Sequence, residues 1–264
     1  MSLVVREYGP TTAPKVVVLH GGPGAAGDLA PLATLLATDF RIFEPLQRGA
    51  ASSRLTVARH IADLLDVLDR VAPGECPHLV GHSWGAMLAL AFAASHPQRA
   101  SALTLVGCGT FDAASRAQLR ATIESRTTAA MRAALIAIED IPDPSERMSR
   151  WRAIMQPVYD VNCDVAPAPV SFDARAHRET WDDMLGRQAD GTYPASFAAI
   201  DGPVLMLHGR EDPHPGRMIH ASLAAVMPRV EYRELATCGH DPWRERQARA
   251  AFLSVLRSWI VAHG

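Results

Sequence analysis

Residues 81 to 85 read GHSWG, a serine held between two glycines at the point where the apolar run HLV, from His78 to Val80, ends. Glycine weakens both strand and helix, so a pair of them around one serine predicts a turn too sharp for a side chain on either flank. A strand-to-helix elbow of this kind exposes its central hydroxyl and makes Ser83 the candidate nucleophile. A serine hydroxyl attacks poorly until a base removes its proton, and the usual base is a histidine oriented by a carboxylate. Two later segments offer those groups. HGREDP puts Asp212 just past an apolar run ending near Gly209, and CGHDPW puts His240 just past a run ending near Leu235.

Other residues compete for these roles. Asp112 also follows an apolar run, which ends near Gly107, and is the alternative acid; the GxxD loop favours Asp212. His208 falls inside a predicted strand and His220 on a helical pattern, while alternation along the strand turns His82 away from Ser83, so these, with His214, are read as packed or solvated histidines. Acyl transfer further needs backbone N–H donors for the oxyanion of a tetrahedral intermediate. GGPGAAG follows KVVVLH, and its glycines let amides face a ligand; Gly22 is the expected donor there, and Trp84, the residue after the nucleophile, is the other. The loop lacks GxGxxG and the lysine of a P-loop, which argues against a phosphate site.

Short β-rich runs must carry these residues: SLVVREY, KVVVLH, RIFEPL, HLVGH and ALTLVG in the first half, PVLMLHG and VEYREL near the end. Several are apolar on both faces, as buried parallel strands are. Between them lie helical patterns. Val57, Ile61, Leu64, Leu65, Leu68 and Val71 make one apolar stripe, Ala86 to Ser95 is rich in helix formers, and a closing helix is expected from about Arg244 to Val261. The alternation predicts an α/β fold, a mostly parallel sheet of about eight strands with helices on both faces. Residues 111–200 break the pattern with helical pieces and proline clusters, IPDP and VAPAPV, and are read as a helical lid inserted between core segments 1–110 and 201–264. The serine, acid and base then share the carboxyl edge of the sheet, where ligands gather in open α/β folds.

Composition narrows the partners. The 264 residues are 48% hydrophobic, enough for one large core. Twenty-six basic and 28 acidic residues leave a net charge of -2, with no broad basic face for nucleic acid. The N-terminal stretch lacks a signal-peptide pattern and no apolar run is long enough to span a bilayer, so a cytoplasmic protein without membrane contact is expected. Cys76, Cys108, Cys163 and Cys238 lack CxxC spacing and predict neither a zinc site nor a disulfide framework. The expected partner is a small-molecule or short-peptide substrate, with no cofactor and no metal.

HGGPG at 20 to 24, GHSWG at 81 to 85, GRED at 209 to 212 and GHDPW at 239 to 243 together resemble the α/β-hydrolase superfamily, and the first two most resemble its proline iminopeptidase group. That resemblance implies an α/β-hydrolase fold and a Ser83, Asp212, His240 triad acting through an acyl-enzyme. One departure stands out. The group typically carries DQRG after the next strand, whereas this chain has Leu46 before Gln47, Arg48 and Gly49. Its aminopeptidases also grip the substrate ammonium with lid acids. Residues 111–200 hold Glu124, Asp140, Glu146, Asp160, Asp182 and Asp183, but ten arginines accompany them, and most of these charges read as solvated faces. Trp151, Met155, Tyr159, Phe172 and Trp181 are candidate pocket residues, of which one or two are expected to line it.

Four activities fit. An aminopeptidase is favoured by HGGPG and Trp84 and a carboxylesterase on small or apolar acyl groups by Leu46, while a perhydrolase or a C–C bond hydrolase would use the same triad. A noncatalytic ligand-binding protein is the reading from another class.

Overall fold

The apolar runs pair into one sheet in the computed structural model of the chain, which describes residues 2–51, 53–168, 170 and 172–264. In chain order the elements are β1 (Val5–Tyr8), β2 (Lys15–Leu19), α1 (Ala30–Leu36), β3 (Arg41–Pro45), α2 (Val57–Val71), β4 (His78–His82), α3 (Trp84–Ser95) and β5 (Leu103–Val106). They continue with α4 (Ala113–Arg126), α5 (Ala129–Ala137), α6 (Pro144–Tyr159), α7 (Ala174–Ala189), a 3-10 turn (Ala195–Ala199), β6 (Val204–Gly209), α8 (Gly216–Ala224), β7 (Glu231–Leu235) and α9 (Arg249–His263). The sheet order is β1-β3-β2-β4-β5-β6-β7. Only β1 runs antiparallel, against β3; the other neighbours are parallel. Seven strands therefore form the sheet among the described residues, in keeping with the expected mostly parallel sheet of about eight.

Alternation within β2 shows why both faces are covered. Val17 and Leu19 join the cluster of Leu64, Leu68, Leu88 and Phe92 from α2 and α3, whereas Val16 and Val18 join Leu32, Leu36, Phe252 and Leu256 from α1 and α9. A parallel sheet buried on two sides in this way needs apolar residues at every strand position, which is how the runs read. Thr56 caps α2 by accepting from the Arg59 N–H at 3.2 Å. The closing helix begins at Arg249 rather than near Arg244, because residues before it serve a loop instead. Glu245 accepts N–H bonds from Gly239 (3.1 Å), Val161 (2.9 Å) and Asn162 (2.6 Å), holding 244–248 irregular.

Helices α4 to α7 lie between β5 and β6, and the last of them is tied to the sheet side by three carboxylates that accept backbone N–H groups. Asp173 bonds Ala50 at 2.7 Å, Glu179 bonds Leu55 at 2.9 Å and Asp183 bonds Val57 at 2.8 Å. Asp160 at the end of α6 takes a two-pronged bond from Arg244. The expectation of solvated charge on this segment therefore fails for Asp160 and Asp183. Glu146 does pair on the surface, with Arg150, and Glu124 and Asp140 are exposed. By contrast α5 buries none of its residues.

Candidate active site

Ser83 leaves β4 and opens α3 with φ 54° and ψ -117°, a conformation that costs a non-glycine residue and persists only when the surroundings enforce it. The enforcement comes from both flanks. A Cβ on Gly81 would stand 2.3 Å from the Gly85 carbonyl oxygen, and one on Gly85 would stand 2.0 Å from the Leu19 carbonyl oxygen in β2. No side chain fits at either position.

Because β4, β6 and β7 are parallel, their carboxyl ends share one edge, and the loops there bring the acid to the base. His240 Nδ1 donates to Asp212 Oδ2 at 2.7 Å. Burial alone would raise the Asp212 carboxyl, but the charges of His240, His214 and His208 pull it well below its ordinary range. Burial likewise pushes His240 down, and Asp212 more than offsets this, leaving the imidazole above its ordinary value. With Nδ1–H committed to Asp212, Nε2 of His240 is the nitrogen free to accept a proton. Ser83 and His240 line the same cavity, although the Ser83 hydroxyl makes no hydrogen bond to a described residue. Asp112, the alternative acid, instead caps α4 by accepting from Ser115 N and Oγ, both at 2.7 Å.

The loop after β2 stands against Ser83 on another side. A Cβ at Gly21 would stand 3.4 Å from Ser83 Cβ, so the loop lies directly against that serine. Gly22 has φ 114° and lines the cavity with Trp84. Trp84 is the first residue of α3, where a backbone N–H has no intrahelical partner, and among the described residues neither it nor the Gly22 N–H is spent on a backbone carbonyl. Buried bonds fix this arrangement. The Trp84 indole N–H donates to Gln47 Oε1 at 2.8 Å, Gln47 Nε2 donates to His20 O at 2.9 Å, and the Gln47 backbone N–H donates to His20 Nε2 at 3.0 Å. Leu46, in the place of the group's acid, is half-buried and bonds only through its backbone N–H to Val4 O, at 2.9 Å. The polar task of this loop falls to its neighbour Gln47.

Two histidines stand differently from the sequence reading. His82 is not turned away: its ring lies 4.7 Å from that of His240, and Nε2 is 3.2 Å from Asp241 Oδ1. Alternation does not carry through Ser83 because the elbow leaves the strand there. His214 is neither mere packing nor solvated, since its Nδ1 donates to Asp212 Oδ1 at 2.9 Å. His208 lies in β6 and His220 on α8, as read.

The cavity above the site has a volume of about 950 Å³. All five candidate pocket residues line it, more than the one or two expected: Trp151, Met155 and Tyr159 come from α6, Trp181 from α7 and Phe172 from just before it. Among its charged residues, Arg152 on α6 reaches Asp28 Oδ2 at 3.3 Å, and the Asp28 side chain is only 7% exposed. Sequence reasoning passed over both; the GPGAAGD loop placed Asp28 near the nucleophile, but nothing in the chain pattern aimed Arg152 at it. Asp182 and Glu139 are exposed where they meet the cavity. Asp212, His214 and His240 are close enough to share a cation, as are Asp160, Cys163 and Glu245, yet the carboxylates of both groups are already accepting the hydrogen bonds described above. No helix among the described residues is long and apolar enough to cross a membrane.

Comparison with known proteins agrees with this fold. The model of the alpha/beta hydrolase family matches residues 16–252. A 2-hydroxymuconate semialdehyde hydrolase from Pseudomonas sp. (strain CF600) is 25% identical over 263 residues, 93% of this chain and 86% of that protein. The proline iminopeptidase of Neisseria meningitidis serogroup A / serotype 4A (strain DSM 15465 / Z2491) is 33% identical, but over only 39% of this chain and 35% of its own length. Among solved structures, the crystal structure of VinJ superposes with a TM-score of 0.68 at 20% identity, covering 98% of this chain and 95% of that one.

Proposed function

The chain belongs to the alpha/beta hydrolase family and is a hydrolase of that type, and from this premise we propose that it is a cofactor-free serine hydrolase acting on a small carboxylic ester through an acyl-enzyme. The observation that carries the reading is the 2.7 Å bond from His240 Nδ1 to a buried Asp212 beside a serine at positive φ. His240 takes the Ser83 proton as Oγ attacks the carbonyl carbon. The oxyanion then rests on the N–H groups of Gly22 and Trp84, and His240 returns the proton to the leaving alcohol. Water repeats the sequence on the acyl-enzyme and frees the acid.

Ester rather than peptide is favoured by the charges around the nucleophile. An amino-terminal substrate needs an uncommitted buried carboxylate for its ammonium. Asp28 is paired with Arg152, and Asp241 with Arg244 and His82, so among the described residues the cavity carboxylates without a hydrogen bond or ion pair are Glu139 and Asp182 at its exposed margin. Met87, Met155, Trp151 and Phe172 offer an apolar wall suited to an acyl chain. The proline iminopeptidase likeness, moreover, covers only 39% of this chain and 35% of that protein. An α4–α7 lid setting this selectivity belongs to the same proposal.

Arg152 favours a second reading, hydrolysis of a C–C bond beside a ketone in a short unsaturated acid. The relative matched over 93% of this chain is named for 2-hydroxymuconate semialdehyde, which bears a carboxylate, and a guanidinium inside the cavity suits a carboxylate. One experiment separates the readings. Wild type, Ser83→Ala and Arg152→Met are assayed on a proline anilide, a short-chain aryl ester and a dienoic keto acid. The ester should turn over, with loss in Ser83→Ala and little change in Arg152→Met. Turnover of the keto acid that falls with Arg152 would select the second reading, anilide activity alone would select the peptidase, and undiminished turnover by Ser83→Ala would overturn the serine mechanism.

A further inference from the structure

Asp212 has two oxygens, and each holds an imidazole. Oδ2 takes Nδ1–H of His240 at 2.7 Å; Oδ1 takes Nδ1–H of His214 at 2.9 Å and also the His214 backbone N–H at 2.9 Å. The two rings stack with centroids 4.7 Å apart and planes 17° from parallel. His240 is the middle of three rings, with His82, the neighbour of Ser83, on one side and His214 on the other. Catalysis as proposed above uses only one of the two imidazoles on the carboxylate, and both line the cavity.

We propose that His214 is a positioning residue for the base: its bond to Oδ1 fixes the plane of the Asp212 carboxylate and draws off part of the negative charge that would otherwise stabilise the His240 cation. The inference rests on the reading of Ser83 and His240 as nucleophile and base. Two cations 4.7 Å apart on one carboxylate repel, so the pair carries a single added proton, and burial keeps His214 as the neutral partner. Every other charged or titratable group facing the pair is left in place by the test below. From β6 comes His208, whose Nε2 is 3.0 Å from His214 O and 3.3 Å from Asp212 Oδ2; the end of β4 supplies His82 and the loop after β7 supplies Asp241. Tyr159 and Arg152 face it from α6, the Tyr159 ring standing 5.6 Å from that of His240 and 6.1 Å from that of His214.

The sign follows from the charge. Replacing His214 by phenylalanine keeps a ring for the stack and removes the side-chain donor while the backbone N–H stays, so more of the Asp212 charge acts on His240 and holds its cation more tightly. The rate at which a fluorophosphonate labels Ser83 needs neutral His240, and its acid limb should move to higher pH by roughly 0.5–1 unit in His214→Phe. His214→Asn restores an N–H near Oδ1 and should return the limb to the wild-type position. A residue that merely packs would lower the rate in both variants and leave the limb fixed, and that result overturns the proposal. His240→Ala is the control for the reading beneath it. Full labelling there would sink the choice of base, whereas a silent His240→Ala with an unmoved His214→Phe limb would sink only the role of His214.

Discussion

His177 Nδ1 donates to the Pro23 carbonyl at 3.0 Å, joining α7 to the loop that carries Gly22, the proposed oxyanion donor. Beside it the Asp173 backbone N–H donates to Gly24 O at 2.9 Å, and Asp173 Oδ2 accepts from Ala50 N at 2.7 Å. One end of the insertion thus forms part of the scaffold of the site. Asp173→Ala removes the α7 cap bond to Ala176 N and frees the Ala50 amide, which should cost about 1–2 kcal/mol in urea unfolding. If Asp173 keeps Gly22 in place, kcat should also fall about tenfold with little change in KM. An unchanged kcat in the destabilised variant would show that the glycine loop holds its own shape.

Asp212→Asn tests the acid. Asparagine retains the size of the side chain but loses the charge that favours the His240 cation and can present an N–H to the imidazole, turning it to the wrong tautomer. We expect kcat to fall by roughly three to four orders of magnitude with KM nearly constant. In the wild type the raised His240 must be neutral to act, so activity should decline as pH falls from a point above 6.5, histidine's ordinary value. A limb well below 6.5 in a pH profile of kcat/KM would contradict the pairing with Asp212.

Two glycine-to-alanine changes on helices should have opposite effects. At Gly85 the new methyl would meet the Leu19 carbonyl oxygen at 2.0 Å and its carbon at 2.6 Å, both backbone atoms of a central strand. Gly85→Ala should cost more than about 3 kcal/mol, or prevent folding. At Gly186 in α7 nothing lies within 4 Å of the added carbon, and Gly186→Ala should stabilise by about 0.5–1 kcal/mol through helix propensity. Chemical denaturation of the two variants against wild type reads both, and equal effects would mean that the elbow tolerates a side chain.

The contrast shows what kind of information the sequence displays. Gly81 and Gly85 break the propensity of the strand and helix that they join, and the break is visible without a structure because it is local. Strand ends fall where apolar runs stop, which made the edge shared by Ser83, Asp212 and His240 legible too. The partners of α7 were not. Glu179 and Asp183 look like ordinary acids on a polar helix, and their bonds to Leu55 N and Val57 N join positions more than 120 residues apart that no periodicity links. His214 was misread for a related reason, since its role depends on the second oxygen of a carboxylate already assigned to another histidine.

Buried histidines outside the site should set the acid stability. His78 in β4 bonds Thr104 Oγ1 at 2.9 Å and His60 in α2 bonds Thr180 Oγ1 at 2.9 Å, and burial pushes them down to about 3 and about 4. Both stay neutral in the fold at pH values where the unfolded chain takes up their protons. Their contribution to stability is therefore fully present above about 6.5 and is lost as pH falls from there toward 4 and then 3. In that window each should add a slope of about 1.4 kcal/mol per pH unit, so unfolding free energy measured between pH 6.5 and 4.5 should drop steeply. His78→Gln, which can keep a hydrogen bond to Thr104 but does not titrate, should lower that slope by about 1.4 kcal/mol per pH unit. A variant with the wild-type slope would mean that His78 is protonated in the folded protein.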